Sequence, residues 1–116
     1  MSNLQNLNEL NQMILSGQIL DAFEKFYDDN VVMQENSQEP RVGKDVNREY
    51  EKQFVSNVEE FHSAEVLSTA ENGDTTMAEW HMDITFKGGQ RQQLNQAAVQ
   101  TWKDGKIIKE RFYHGE

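Results

Sequence analysis

The chain of 116 residues is predicted to adopt an α+β fold, with helices collected on one face of a bent antiparallel sheet. Two observations predict this class. The segment from residue 74 to the C-terminus has the pattern of three antiparallel strands joined by two tight turns. Earlier segments place apolar residues at three- and four-residue spacings, which is typical of amphipathic helices. Helices that cover one face of an antiparallel sheet form a two-layer α+β domain.

Three helices are expected in the N-terminal half. Residues 1–15 form the first, Gly17 ends it, and residues 21–27 form a short second helix that stops at an Asp-Asp-Asn turn. A third helix covers residues 45–55, after Gly43. The apolar residues expected to face inward are Leu4, Leu7, Leu10, Ile14 and Leu15 in the first helix, Leu20, Phe23 and Phe26 beside the second, and Val46, Tyr50, Phe54 and Val55 in the third.

The strands alternate with and follow these helices. Residues 31–35 form a brief strand, residues 36–42 a polar loop with Pro40, and residues 58–70 a strand of weak alternation. Asn72-Gly73 then signals a hairpin turn. In the strand 74–86 the even positions are all apolar from Ala78 to Phe86, so one face of the sheet is buried.

The length of the last two turns decides which side chains share the buried face. Three-residue loops pair Phe86 with Gln90 and Trp102 with Lys106. The inner face then also carries Leu94, Gln96, Ala98, Gln100, Trp102, Ile108, Glu110, Phe112 and His114. A two-residue Asp104-Gly105 turn would instead place Ala97, Val99 and Thr101 beside Glu110.

Composition excludes several classes of function. A chain of this length forms one domain, residues 1–116. A net charge of -9 disfavours nucleic acid and anionic membrane surfaces as partners. The absence of cysteine excludes disulfides, thiolate zinc sites and iron-sulfur clusters, so no cofactor is expected and a cytoplasmic location fits. Neither a signal peptide nor a membrane span is visible.

Three segments resemble the SnoaL-like polyketide cyclase and ketosteroid isomerase group of the nuclear transport factor two-like superfamily. They are Phe26-Tyr27-Asp28-Asp29-Asn30-Val31-Val32, Glu39-Pro40-Arg41-Val42-Gly43 and Trp102-Lys103-Asp104-Gly105-Lys106-Ile107-Ile108. The resemblance covers essentially the whole chain. It implies a cone of curved sheet wrapped around about three helices, with a pocket at the wide end. It does not imply one activity, because the superfamily includes isomerases, cyclases, hydrolases, dehydratases and members without catalysis.

The resemblance also implies where isomerase-like chemistry would lie. The general-base aspartate of such members corresponds to Gln34, and their protonated oxyanion donor to Ala97 or Ala98. Their tyrosine donor falls near Leu10. None of these side chains can replace the original group, so isomerisation by that proton shuttle is not expected. Glu35 could act as the base only if the strand were displaced by one residue.

Glu110 and His114 are the candidate catalytic residues. Their spacing of four places both on one face of a strand, roughly 13 Å apart along it. A carboxylate among Trp80, Met82 and Phe112 would have its pKa raised by desolvation, and histidine titrates near neutrality. The alternative is structural: Glu110 would be hydrogen-bonded by Gln96, Gln100 or a helix backbone, and His114 would be exposed.

Glu79, His81 and Asp83 occupy alternate positions of one predicted strand, and all three are residue types that bind metal ions. Successive members lie about 6.6 Å apart on one strand, too far to complete a coordination sphere alone. They also lie opposite the apolar row, where Lys109 and Arg111 are expected as neighbours. The pattern therefore favours a solvated charge ladder, and no metal site is predicted.

Two functions from different classes follow. The first is a pocket protein, such as a lyase, cyclase or isomerase, for an apolar carbonyl-containing small molecule, with Glu110 or His114 as acid or base. Its ligand-binding residues would be Gln34, Tyr50, Trp80, Met82, Gln96, Gln100 and Phe112. The second is a noncatalytic dimeric binding or accessory domain whose pocket is vestigial or filled by Tyr50, Phe54 and Met13. The resemblance implies a homodimer through the outer sheet face, which carries Tyr113, Val99 and Ile107.

Overall fold

Three helices and six strands follow one another in a computed structural model that describes residues 2–115. The helices are α1 (Asn3–Leu15), α2 (Ile19–Phe26) and α3 (Lys44–Asn57). The strands are β1 (Tyr27–Glu35), β2 (Arg41–Val42), β3 (Val58–Asn72), β4 (Thr75–Phe86), β5 (Arg91–Lys103) and β6 (Lys106–His114). Met1, the predicted start of the first helix, and Glu116 lie outside the described residues.

Local sequence explains where the helices begin and end. The Ser2 hydroxyl accepts a hydrogen bond from the Gln5 backbone N–H at 3.1 Å, and the Gln5 side chain accepts one from the Ser2 N–H at 2.8 Å. This reciprocal capping box satisfies two N–H groups that lack partners within the helix. Gly17 follows α1 with a φ of 81°, a conformation that glycine adopts without steric cost. These two features therefore define the two ends of α1.

The six strands form one sheet in the order β2-β1-β6-β5-β4-β3. The neighbouring pairs are antiparallel except for β1 and β6, which run parallel. This parallel pair corrects the expectation of a wholly antiparallel sheet. β1 begins at Tyr27 rather than at residue 31, and β2 lies in a segment predicted to be a loop. The predicted α+β class of a curved sheet around three helices is confirmed.

The two last turns differ from each other. Phe86 faces Gln90 across the first, as predicted, with a backbone hydrogen bond of 2.8 Å between them. The second is a two-residue Asp104-Gly105 turn that pairs Lys103 with Lys106, so the predicted pairing of Trp102 with Lys106 is wrong. A bulge beyond Trp102 then shifts the register by one residue.

This bulge restores the predicted face for most of β6. Gln100 pairs with Glu110 and Ala98 pairs with Phe112, so these side chains point the same way. At the turn itself the face is reversed. Ile107 is fully buried, whereas Ile108, predicted to point inward, is only partly buried. Ile107 therefore belongs to the core and not to the outer face.

The core lies between the helices and the concave face of the sheet. Its members include Leu7, Leu10, Phe23, Phe26, Tyr27, Met33, Trp80 and Trp102. Phe26 meets Trp102 edge to face at 6.2 Å between ring centroids. Among residues 2–115, no helix combines the length and the apolar character needed to cross a membrane.

Candidate functional site

A cavity of about 760 Å³ lies between the three helices and the concave face of the sheet. Its apolar wall is formed mainly by Leu10, Ile14, Phe23, Phe54, Trp80, Met82 and Phe112. Its polar wall carries Asn11, Gln92, Gln93, Asn95, Gln96 and Gln100, together with the ionisable side chains described below. A cavity with a large apolar surface and a few converging polar groups is the usual form of a small-molecule site.

Glu110, in the middle of β6, lies in the wall of this cavity and is only 3% exposed. The Tyr27 hydroxyl donates a hydrogen bond to one of its carboxylate oxygens. The Gln100 side-chain amide donates to the other at 2.8 Å. Glu110 is on β6, which lies between β1 and β5 in the sheet. Tyr27 is on β1, and Gln100 on β5 pairs directly with Glu110, so the sheet brings the three side chains together.

Burial raises the pKa of Glu110 to about 7, because the charged form loses hydration. The hydrogen bonds from Gln100 and Tyr27 oppose this effect, and the negative charge of Glu35 adds to it. Burial, followed by the charge on Glu110, holds the pKa of Tyr27 well above its usual range, so Tyr27 stays a hydrogen-bond donor. A carboxyl group of this kind can give or take a proton near neutral pH.

Glu51 is a second carboxyl in the cavity wall, on α3. Burial raises its pKa to about 7, with a further contribution from the charge of Glu110. Asn47 and Phe54, four residues before and three residues after it, lie on the same side of α3. Asn47 is fully buried and its amide donates to the carbonyls of Arg41 and Gly43, which fixes α3 against the strands.

Charged residues at the edge of the cavity hold one another in place. Arg41 donates to the Glu35 carboxylate at 3.1 Å and to Asn47 at 3.0 Å. Its guanidinium also lies 3.6 Å from the ring centroid of Tyr50. The other Glu35 oxygen lies 3.2 Å from Nε2 of His114. Glu35, Tyr50 and His114 all line the cavity, so this group forms its charged rim.

The raised pKa of Glu110 predicts a pH-dependent stability. Between its ordinary pKa of 4.5 and about 7 the folded state holds a proton that the unfolded state releases. Protonation of Glu110 therefore stabilises the folded state fully below pH 4.5, and this stabilisation is lost as the pH rises through about 7. Glutamine cannot titrate, so the Glu110→Gln variant should not lose this stabilisation. We expect the difference in free energy of unfolding, variant minus wild type, to increase by roughly 3 kcal/mol between about pH 4.5 and about pH 8, measured by urea denaturation.

Glu59→Gln is the matched control, because it removes a carboxylate that is exposed on β3. Glu59→Gln removes one carboxylate, as Glu110→Gln does, but the carboxylate that it removes is not buried. Equal slopes for Glu110→Gln and the wild type over this pH range would contradict the raised pKa.

The structure places most of the predicted site residues in one cavity. Glu110, His114, Tyr50, Trp80, Met82, Gln96, Gln100 and Phe112 all line it. Their catalytic and binding roles stay predictions. Glu110 and His114 do not contact each other, since the His114 ring is bonded to Glu35 and Glu110 to Tyr27 and Gln100.

Gln34 is the exception, because the structure places its side chain outside the cavity. Its amide donates to the backbone carbonyl of Gln38 at 2.9 Å, while the next residue, Glu35, lines the cavity. β1 has an irregular stretch between Tyr27 and Val32, and beyond it the odd positions point inward. Val31 and Met33 are fully buried and Glu35 continues their face. Glu35, and not Gln34, is therefore the residue of this part of β1 that reaches the cavity.

The expected neighbours of the outer charge ladder are also corrected. β4 pairs with β5 and β3, so Lys109 and Arg111 on β6 are not adjacent to it. Asp83 is held by Arg91 at 2.9 and 3.0 Å, His81 contacts Asn95 at 2.7 Å, and Ser68 donates to Glu79. Each of these three side chains thus has a hydrogen-bonding partner on a neighbouring residue of the sheet.

Sequence reasoning missed several polar residues of the site, including Tyr27, Glu51 and Arg41. The spacing of Asn47, Glu51 and Phe54 is a helical face pattern that could have indicated Glu51. Tyr27 was assigned to the end of a helix, although it starts β1. Arg41 belongs to the Glu39-Pro40-Arg41 segment that carries the family resemblance. No local pattern predicts its contact with Glu35.

Comparison with solved structures gives the same fold. A Mesorhizobium loti protein named as a candidate SnoaL-like polyketide cyclase (carbohydrate phosphatase) is 26% identical, with a TM-score of 0.86 over 97% of this chain and 99% of that one. A candidate isomerase from Bacillus subtilis is 20% identical, with a TM-score of 0.82 over 99% and 90%. SalBIII, an epoxide hydrolase/cyclase-like enzyme of pyran ring formation in salinomycin, is 20% identical, with a TM-score of 0.82 over 97% and 90%.

No curated protein matches the chain significantly. The family model of the SnoaL-like domain, in contrast, matches residues 1–114, nearly the whole length. The chain therefore belongs to the SnoaL-like domain family.

Proposed function

We propose that the cavity binds a largely apolar, carbonyl-containing small molecule and that Glu110 exchanges a proton with it, as a lyase, cyclase or isomerase would. One observation carries the proposal: a buried carboxyl, held by two donors, lies in the wall of a cavity of about 760 Å³, and burial raises its pKa to about 7. Strongly shifted carboxyl groups in a cavity are a recognised sign of acid-base sites.

The chemistry follows from the carboxyl group. In its ionised form Glu110 takes a proton from the carbon next to the ligand carbonyl, and in its protonated form it returns that proton to the same or another atom. Tyr27 and Gln100 keep the carboxyl in one orientation. Isomerisation, ring closure and elimination all use this proton transfer, so the step is common to the three reaction classes.

The remaining wall supplies binding. Trp80, Met82 and Phe112 would contact the apolar body of the ligand. Gln96 and the rim residue Tyr50 would orient its polar group. His114 lies beside Glu35 with a third of its side chain exposed, so it would act at the cavity mouth rather than next to Glu110.

The observed space favours this proposal over a vestigial pocket. Tyr50 and Phe54 form part of the cavity wall instead of filling the space between α3 and the sheet. Met13 is packed against the core. The open volume is large enough for a small organic molecule, because ligand cavities commonly measure about 300 to 1,000 Å³.

A homodimer through the outer sheet face is part of the proposal. Met77 pairs with Val99, and Ala97 pairs with Tyr113, so these apolar side chains form a strip on that face. Met77 and Tyr113 are each 44% exposed. An apolar strip of this kind would be covered by the same strip of a second copy. A cytoplasmic location is likewise proposed, since the chain has no cysteine.

The proposal is tested with 2-tetralone, an apolar bicyclic ketone whose α-protons exchange in D₂O. We expect the wild-type protein to bind it and to accelerate its deuteration, followed by proton NMR. Ala98→Trp should reduce both by about tenfold or more, because Ala98 lies at the buried centre of β5 in the cavity wall and an indole would occupy the space.

Ala70→Trp is the matched control, since Ala70 is exposed on β3. Both variants are compared by thermal melting, so that a loss of fold is recognised. If 2-tetralone and its close analogues do not bind, the proposed ligand class is wrong. If they bind without faster exchange, the proton transfer is wrong.

A further inference from the structure

Glu51 is distinguished from the other carboxyl groups of the cavity by its lack of a partner. Glu110 accepts from Tyr27 and Gln100, and Glu35 is bonded to Arg41 and His114. Within residues 2–115, no side chain or backbone group donates a hydrogen bond to the Glu51 carboxylate, although it lines the cavity. Glu51 is only partly buried, and its carboxylate is open to the cavity. A ligand that fills the cavity would remove this carboxylate from water, so the ligand must supply its hydrogen-bond partner.

The cavity wall is rich in carboxyl groups. Among residues 2–115, three carboxyl groups line it, from Glu35, Glu51 and Glu110. Within the same range no lysine or arginine lines it, and His114 is the single basic side chain. Arg41 is near, but Glu35, Asn47 and the ring of Tyr50 already occupy its guanidinium. A ligand carboxylate or phosphate would meet like charges here, which disfavours it strongly.

We propose that the ligand of this cavity carries a protonated amine that pairs with Glu51 and that the cavity rejects anionic ligands. The inference rests on the proposed function, because it names the class of ligand for the same site. The carbonyl group of that ligand would lie at Glu110 and its amine at Glu51.

An ammonium group fits the observations better than a neutral hydroxyl. The negative charge of Glu110 contributes to the raised pKa of Glu51, so the two carboxylates repel each other. A positive charge between them removes this repulsion, whereas a hydroxyl does not. The rings of Tyr27, Tyr50 and Phe54 belong to the same wall and offer aromatic faces that attract cations.

Three matched probes test the inference: 2-naphthylmethylamine, 2-naphthalenemethanol and 2-naphthoic acid. They share one apolar ring system and differ in charge. By isothermal titration calorimetry at about pH 7, we expect the amine to bind about 10 to 100 times more tightly than the alcohol, because hydrogen bonds to charged groups are the stronger ones. The acid should not bind measurably.

Two further readouts identify the residue. Binding of the amine should release protons, seen as a dependence of the observed heat on buffer ionisation enthalpy, because the cation lowers the pKa of the cavity carboxyls. Glu51→Gln should remove most of the preference for the amine over the alcohol. Glu59→Gln, an exposed carboxylate on β3, should keep the preference.

The outcomes separate this inference from the proposed function. If the alcohol binds as tightly as the amine, or if Glu51→Gln keeps the preference, the amine inference is wrong, and exchange of 2-tetralone still decides the proposed function. If the amine preference holds while 2-tetralone is bound without exchange, only the proton transfer is wrong. Proton release by the wild type tests the inference even if Glu51→Gln does not fold.

Discussion

Replacing Glu110 by glutamine is expected to slow the deuteration of bound 2-tetralone by about 10² to 10⁴-fold, the usual contribution of a positioned acid or base. Glutamine keeps the size of the side chain and can still accept from Gln100, but it cannot take a proton. Because the ketone is uncharged, its affinity should change little. Proton NMR of the exchange and calorimetry of ketone binding measure the two effects separately.

The pH profile distinguishes a catalytic role from a structural one. If Glu110 acts as a base, exchange by the wild type should rise with pH through about 7, where the group ionises. The hydrogen bond from Tyr27 lowers the pKa of Glu110. Tyr27→Phe should therefore move the midpoint of the profile to higher pH, an effect that a packing role would not produce. Exchange by Glu110→Gln at the wild-type rate would exclude Glu110 as the base.

Much of the fold follows from local patterns in the sequence. The alternation from Ala78 to Phe86 predicted β4 and its buried face, and the three- and four-residue spacings predicted the helices within a few residues. The parallel pairing of β1 with β6 joins Tyr27 with Ile107 and Glu35 with Phe112, residues that are far apart in the sequence. No local pattern specifies such a contact, so it could not be predicted.

The last hairpin shows how two local errors can cancel. The turn is one residue shorter than expected, and the bulge beyond Trp102 shifts the register back by one residue. Glu110 and Phe112 therefore point into the cavity as predicted, whereas Ile107 replaces Ile108 in the core. Successive side chains of a strand point to opposite faces, so a register shift of one residue moves every side chain to the other face. Two such shifts return the side chains to the original face.

The candidate site was only partly predictable for a related reason. Glu110 and Gln100 were found because they interrupt an apolar row, and that signal is local. Tyr27 and Glu51 reach the cavity from β1 and α3. Their contribution depends on how these elements pack against β6, and this long-range geometry determines which polar residues share a cavity.

Replacing Gln100 by leucine is expected to lower the free energy of unfolding by about 3 kcal/mol or more. Gln100 is 2% exposed and lies in the middle of a buried chain of hydrogen bonds. Trp102 Nε1 donates to the Thr76 hydroxyl at 2.8 Å, and that hydroxyl donates to Gln100 Oε1 at 2.7 Å. Leucine has a similar volume, so the cost comes from the lost acceptor of Thr76 and the lost donor to Glu110.

The dependence of this cost on pH identifies its origin. A protonated Glu110 needs the amide of Gln100 less than the ionised carboxylate does, so the destabilisation, measured by urea denaturation, should grow as the pH rises through about 7. Gln96→Leu is the control, because Gln96 lies on the same face of β5 but is only partly buried, and about 0.5 kcal/mol or less is expected there. A cost for Gln100→Leu that matches this control, or that stays constant with pH, would mean that the chain of hydrogen bonds from Trp102 to Glu110 does not hold the carboxylate in place.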